Sequence, residues 1–208
     1  MILIGQYDSP FVRRVGIALT LYGMAFEHRP WSVFGETEKI RPLNPLVRVP
    51  TLILDDGEVL MESHSILDHL DNLVGLERAL FPAAEPARHK ALRIAALATG
   101  TGEKAVSLFY EKRLHTEISE VWASRCRSQV LGTLAVLEAD RASRPGDYWF
   151  GDDIGHADIA VAAVLRFIAE AHPGLAPMAD FRALAAHAAR LEALPVFQKI
   201  SQPFIPPA

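Results

Sequence analysis

Three short stretches combine residue types that could do chemistry together. Glu62-Ser63 stands between a β-rich run and an apolar helical pattern of Ile66, Leu67, Leu70, Leu73 and Val74. A carboxylate and a hydroxyl are thereby set beside the unpaired N–H groups of a helix start. Such a pair suits a zwitterion. Glu62 can face the ammonium of an α-amino acid head group, while the Ser63 hydroxyl and N–H, aided by the helix dipole, take its carboxylate. Upstream, Val49-Pro50 opens a strand beside the cation of Arg48. An X-Pro bond is the type that adopts cis at little cost, and a cis bond there would expose the Val49 N–H and C=O sideways. The third stretch is Ser9-Pro10. On residue types alone Ser9 is a helix N-cap followed by proline at N1, with its hydroxyl at the positive end of the helix. Tyr7, two residues earlier, is a second hydroxyl that shares a face with Ser9 if the strand continues that far.

The elements that must position these groups follow from pattern. Ile2 to Gln6 is an apolar run of strand length, and Pro10 to Gly23 carries the helical period of Val15, Ala18, Leu19 and Tyr22, closed by glycine. Phe26 to Trp31 reads as a second strand, parallel to the first across a right-handed crossover. Val33 to Leu43 reads as a short exposed helix or an irregular loop. Thr51–Leu54, the Asp55-Asp56-Gly57 turn signal and Glu58–Met61 form an antiparallel hairpin before the helix from Ser63. The order is βαβ, then αββα, a thioredoxin-like arrangement. Residues 77–85 read as a linker, and beyond it the chain turns rich in Ala, Leu, Glu and Arg. Long helices are expected over Ala87–Leu114 and Glu117–Arg141, then over Asp158–Ala171 and Asp180–Leu194, before a proline-rich tail.

Val49-Pro50-Thr51-Leu52, followed about a dozen residues later by Glu62-Ser63, resembles the glutathione site of the cytosolic glutathione transferases. Ser9 resembles the thiol-activating serine of bacterial-type members, and the likeness covers essentially the whole chain in domain order. The resemblance implies a thioredoxin-like domain at 1–76 and an all-helical domain with an electrophile pocket at 86–208. It also implies glutathione as co-substrate, a small hydrophobic electrophile and a homodimer. In that family the proline is cis, Val49 would pair with the cysteinyl backbone of glutathione, and Glu62 and Ser63 would hold its γ-glutamyl end. Arg48 would meet an anionic part of the tripeptide, and Ser9 would donate to the thiolate, with Tyr7 as the alternative donor. Val47 departs from the family's frequent glycine, and Gly155 replaces the capping hydroxyl of a Ser/Thr-x-x-Asp segment ending here at Asp158. Rival readings are a non-catalytic binding or regulatory protein and a specialised glutathione-dependent isomerase, ether-cleaving enzyme or reductase. Ser at position 9 and the remote Cys126 disfavour a cysteine-based reductase.

Composition narrows the classes further. The chain has 208 residues, half of them hydrophobic, and a net charge of −4, so neither a nucleic-acid surface nor an anionic-membrane surface is indicated. No apolar run reaches the roughly 18 residues of a membrane span, and the start lacks signal-peptide character, so the cytoplasm is expected. The single cysteine excludes an internal disulfide, and the eight scattered histidines, with His64 and His69 off a common helical face, indicate no metal site. Of Arg13 and Arg14, one is expected in solvent and one in an interdomain ion pair. Cys126 reads as packed within its helix, and Phe109, Tyr110 and Trp122 as core residues or pocket walls.

Overall fold

The computed structural model describes residues 1–207. Its N-terminal domain consists of β1 (Ile2–Ile4), α1 (Pro10–Leu21), β2 (Glu27–Arg29), α2 (Thr37–Ile40), β3 (Thr51–Ile53), β4 (Val59–Met61) and α3 (Ser63–Val74). The strands lie in the order β2-β1-β3-β4, with β1 parallel to β2, antiparallel to β3, and β3 antiparallel to β4. This is the thioredoxin-like arrangement expected from the sequence. Parallel strands need a crossover, which α1 supplies, and the β3–β4 turn closes through Gly57 at φ +89°. β2 is shorter than expected because Glu27, His28 and Arg29 alone find partners on β1. At the end of α1, Gly23 takes φ +70° while the N–H groups of Gly23 and Met24 turn back to the carbonyls of Thr20 and Leu19.

The second domain is all helical: α4 (Ala87–Leu114), α5 (Glu120–Ala142), α6 (His156–Ala171), α7 (Arg182–Glu192) and α8 (Pro195–Lys199). Three of its helix starts differ from the pattern reading, each because the cap is decided elsewhere. Ser119 caps α5, accepting from Trp122 N–H at 3.4 Å, so residues 117 and 118 stay outside. Gly155 stands at the N-cap of α6, and Asp158 accepts from the N–H groups of Gly155 and Trp149, each at 2.9 Å. The free N–H groups of Ala183 and Leu184 at the start of α7 donate to Glu138 on α5, at 2.8 and 2.9 Å, while Asp180 falls in a separate 3₁₀ turn.

The two domains share a buried seam of Ile17, Ile159, Ala162, Leu191, Phe197 and Ile200. Of the two arginines, Arg13 makes the expected interdomain ion pair, whereas Arg14 corrects the expectation of a solvated residue, since it too is buried. Arg13 pairs with both carboxylate oxygens of Glu192, at 2.5 and 2.7 Å, and donates to the carbonyls of Phe197 and Ile200. The tail after α8 then runs back toward α1. Its Phe204 N–H donates to Glu170, its Ile205 N–H to Asp8, and its Pro207 carbonyl accepts from Arg113. Among the described residues no helix is long and apolar enough to cross a membrane, and no group of three or more His, Cys, Asp or Glu could hold a metal ion.

Candidate functional site

A cavity of about 500 Å³ opens where the two domains meet, and Ser9, Arg48 and Val49 are on its wall. Ser9 is the N-cap of α1, in extended conformation, with Oγ accepting from Val12 N–H at a long 3.4 Å. That contact uses an acceptor lone pair and leaves the hydroxyl proton for a group in the cavity. α1 points its positive end at the same place.

The loop carrying Arg48 and Val49 is braced from within. Asn44, almost wholly buried, donates to the Arg48 carbonyl at 3.0 Å and to Thr51 Oγ1 at 3.2 Å, and accepts from Leu46 N–H at 3.1 Å. Val47 takes φ +49°, a region in which glycine is at ease and a β-branched residue is not, which accounts for the family's frequent glycine there. The Val49-Pro50 bond is cis. Among the described residues the Val49 N–H and C=O have no hydrogen-bond partner, so both are free to pair with an extended ligand backbone. Gly5 makes room for this loop: a Cβ there would stand 2.8 Å from Val49 Cβ.

Glu62 and Ser63 occupy the corner between β4 and α3. Glu62 takes φ +67°, an unusual backbone for a glutamate, and its half-exposed carboxylate lies 3.1 Å from Arg48 Nη1. Ser63 is 3% exposed at the first position of α3. Its hydroxyl accepts from Arg14 Nη1 at 3.3 Å, a partner that sequence reasoning missed. Arg14 is fully buried, and desolvation lowers its pKa to about 9, which leaves it charged at neutral pH. Through Arg48 and Arg14 the structure thus ties Glu62 and Ser63 to their neighbours, but of the site residues expected from the sequence Ser9, Arg48 and Val49 line the cavity, whereas Pro50, Glu62 and Ser63 do not.

Tyr7 is placed apart from these groups. The strand ends at Ile4 and the chain turns through Gly5 at φ +126° and a Gln6–Ser9 turn, so the alternation that would align Tyr7 with Ser9 is broken. Its ring stacks on His28 at 3.8 Å and meets the backbone side of Gly16, and burial pushes its pKa up to about 12. The far wall of the cavity is aromatic. Phe34 and Tyr110 meet edge to face at 5.5 Å, Phe109 and Phe204 at 5.0 Å, and Phe167 and Phe204 at 5.7 Å. Asp8 adds a carboxylate to this wall, its pKa raised chiefly by burial. Trp122 is outside, on α5, and Cys126 is buried in the helical domain with its thiol pushed up by desolvation. Phe34, Phe167 and Asp8 carried no signal in the sequence, because their convergence is set by how the domains pack.

The glutathione S-transferase N-terminal domain model matches residues 3–78, and the glutathione S-transferase C-terminal domain model matches residues 120–190. The chain belongs to the glutathione S-transferase family. The uncharacterized GST-like protein YibF of Escherichia coli is 31% identical over 139 residues, covering 66% of this chain and 68% of YibF. Among solved structures, a glutathione S-transferase of Methylobacterium radiotolerans in complex with glutathione sulfonate is 29% identical with a TM-score of 0.90. The match covers 100% of this chain and 98% of that one. A family member from Pseudomonas fluorescens Pf-5 with bound glutathione is 31% identical with a TM-score of 0.83, covering 98% and 99% of the two chains.

Proposed function

We propose that the protein is a glutathione transferase that adds the thiolate of glutathione to a small hydrophobic electrophile, in a detoxifying role. The observation that carries this reading is one cavity with two unlike walls. On one side are the free Ser9 hydroxyl at a helix N-terminus and the unpaired Val49 backbone groups; on the other is an aromatic cluster. Val49 would pair with the cysteinyl backbone, which brings the sulfur to Ser9 and turns it toward the aromatic wall. Glu62 would face the γ-glutamyl ammonium, Ser63 the γ-glutamyl carboxylate, and Arg48 an anionic part of the tripeptide. Ser9 would donate to the sulfur, favouring the thiolate over a thiol whose free pKa is about 8.5. The aromatic wall would hold the electrophile in line with that sulfur.

The domain limits we assign are 1–76 and 86–208, with 77–85 as the linker. A cytoplasmic location fits the cytosolic pool of reduced glutathione. A homodimer fits the outward-facing Leu46, Leu73 and Leu76, each more than half exposed, and light scattering of the eluted protein tests it. The reading as a whole is tested by calorimetric titration with glutathione and by conjugation of an activated aryl halide. Glu62→Ala is expected to weaken glutathione binding by about 1.5 to 3 kcal/mol, since the ligand's ammonium loses its counter-charge at a half-exposed carboxylate. A parent protein that binds no glutathione, or a Glu62→Ala variant that binds it equally well, overturns the assignment.

A further inference from the structure

Arg14 is an anomaly as a structural residue. It leaves α1 toward the start of α3 and has no exposed surface. One of its nitrogens donates to Ser63 Oγ, while Nε and Nη2 have no partner among the described residues. A guanidinium offers five N–H donors and accepts nothing. The titratable groups that feel its charge are His64 and His156, which burial chiefly, and Arg14 in addition, push toward their neutral forms. Asp71, the nearby buried carboxylate, is engaged by His156, Tyr22 and the Phe81 N–H. A buried cation left uncompensated lowers the stability of a fold, so its presence calls for a counter-charge that arrives from outside. The place where it points is the open N-terminus of α3, where backbone N–H groups and the helix dipole already favour an anion.

We infer that Arg14 is a positioning residue for the γ-glutamyl carboxylate of glutathione, aligning the Ser63 hydroxyl and supplying the buried positive charge that the carboxylate completes. This rests on the glutathione reading of the site. Because Arg14 can only donate, Ser63 cannot return a hydrogen bond to it. The single hydroxyl proton of Ser63 is therefore turned away from Arg14, toward the mouth of the helix. Ser63 makes the contact and Arg14 acts behind it.

The test compares three peptides by calorimetry. They are glutathione, glutaryl-cysteinyl-glycine, which keeps the carboxylate and lacks the ammonium, and 4-aminobutyryl-cysteinyl-glycine, which keeps the ammonium and lacks the carboxylate. Arg14→Gln is expected to weaken the first two by about ten- to a hundredfold, the range for a hydrogen bond to a charged group, and to leave the third unchanged. Arg14→Lys should recover part of the loss. Equal weakening of all three peptides would mean that Arg14 merely holds α1 against α3, and overturns the inference. If Arg14→Gln does not fold, Arg14→Lys decides, since it keeps the charge and loses the fork that reaches Ser63: a smaller weakening confined to glutathione and the glutaryl peptide supports the inference, and three affinities equal to those of the parent overturn it. Glu62→Gln is the separate control, expected to weaken glutathione and the aminobutyryl peptide while sparing the glutaryl peptide. A parent protein that binds none of the three sinks the glutathione reading itself, whatever Arg14 does.

Discussion

Ser9→Ala separates activation of a thiol from capping of a helix, because the structure assigns the two roles very different magnitudes. As a cap, Ser9 accepts one N–H at 3.4 Å, near the limit of a useful hydrogen bond, so its loss should cost about 0.5 kcal/mol, the low end for N-caps. In a chain of this size that lowers the melting temperature by roughly 1 to 2 °C. As a donor to a thiolate, the hydroxyl is worth about 2 to 4 kcal/mol, which corresponds to a rise of roughly 1.5 to 3 units in the pKa of the bound thiol. Conjugation at neutral pH should then fall between about tenfold and a thousandfold. The deficit should shrink as pH rises toward about 8.5, where glutathione ionises unaided. The assay is the ultraviolet absorbance of the thiolate in the bound complex, titrated against pH for both proteins, with melting curves on the same samples. Unmoved titration with a slightly lowered melting point would leave Ser9 as a cap alone and refute the role given to it. Tyr7→Phe should be silent in the same titration, since the Tyr7 ring is stacked on His28 away from the cavity.

Three further outcomes follow from particular contacts. Val47→Gly should leave the melting temperature unchanged or raise it, because relief of a β-branched residue at φ +49° offsets the added chain entropy of glycine, each about 1 kcal/mol; a drop of several degrees would contradict this. Phe204→Ala should raise KM for an aromatic electrophile by about two- to tenfold, the worth of one or two edge-to-face contacts, with calorimetric affinity for glutathione unchanged. His156 is fully buried with Nε2 at 2.8 Å from Asp71, and burial holds its pKa below the ordinary value near 6.5. The unfolded chain therefore takes up a proton that the fold resists, so the stability is complete above pH about 6.5 and declines as pH falls below it. Melting curves from pH about 7 down to about 5 should show that decline, to which His64, His172 and His187 contribute with the same sign because burial lowers their pKa values as well, and His156→Gln should make it shallower; an equally steep decline in the variant would contradict a neutral His156.

What was legible in the sequence is what is decided locally. The Asp56-Gly57 turn, the proline opening β3, the Ser9-Pro10 helix start and the closing Gly23 each act within a few residues, and the thioredoxin-like order follows from them. Contacts across long separations were not legible. The start of α7 depends on Glu138, some 45 residues earlier, and the burial of Arg14 depends on α3 packing against α1. The placement of Tyr7 was not legible either, because the strand expected through Gln6 stops at Ile4, where Gly5 at φ +126° turns the chain. For the candidate site the same division holds. The loop around Val49 and the Glu62-Ser63 corner are motifs, whereas Phe34, Phe167 and Asp8 meet only because two domains close over them.

The tail that contributes Phe204 and Ile205 is held in a way that separates its course from its composition. Glu170 and Asp8 grip the main-chain N–H groups of those two residues, and Arg113 grips the Pro207 carbonyl. None of these anchors reads a side chain of the tail, and the prolines on either side of Phe204-Ile205 keep the segment extended without needing partners of their own. Position 205, which is more than half exposed, can therefore be exchanged freely, and position 204 for other apolar residues that keep its packing on Phe109 and Phe167, while the strap keeps its path across the cavity. A lineage, or a library, could explore new electrophile preferences there with little penalty to folding, because the parts that place the sulfur lie on a different domain and are coded some 140 residues or more earlier in the chain.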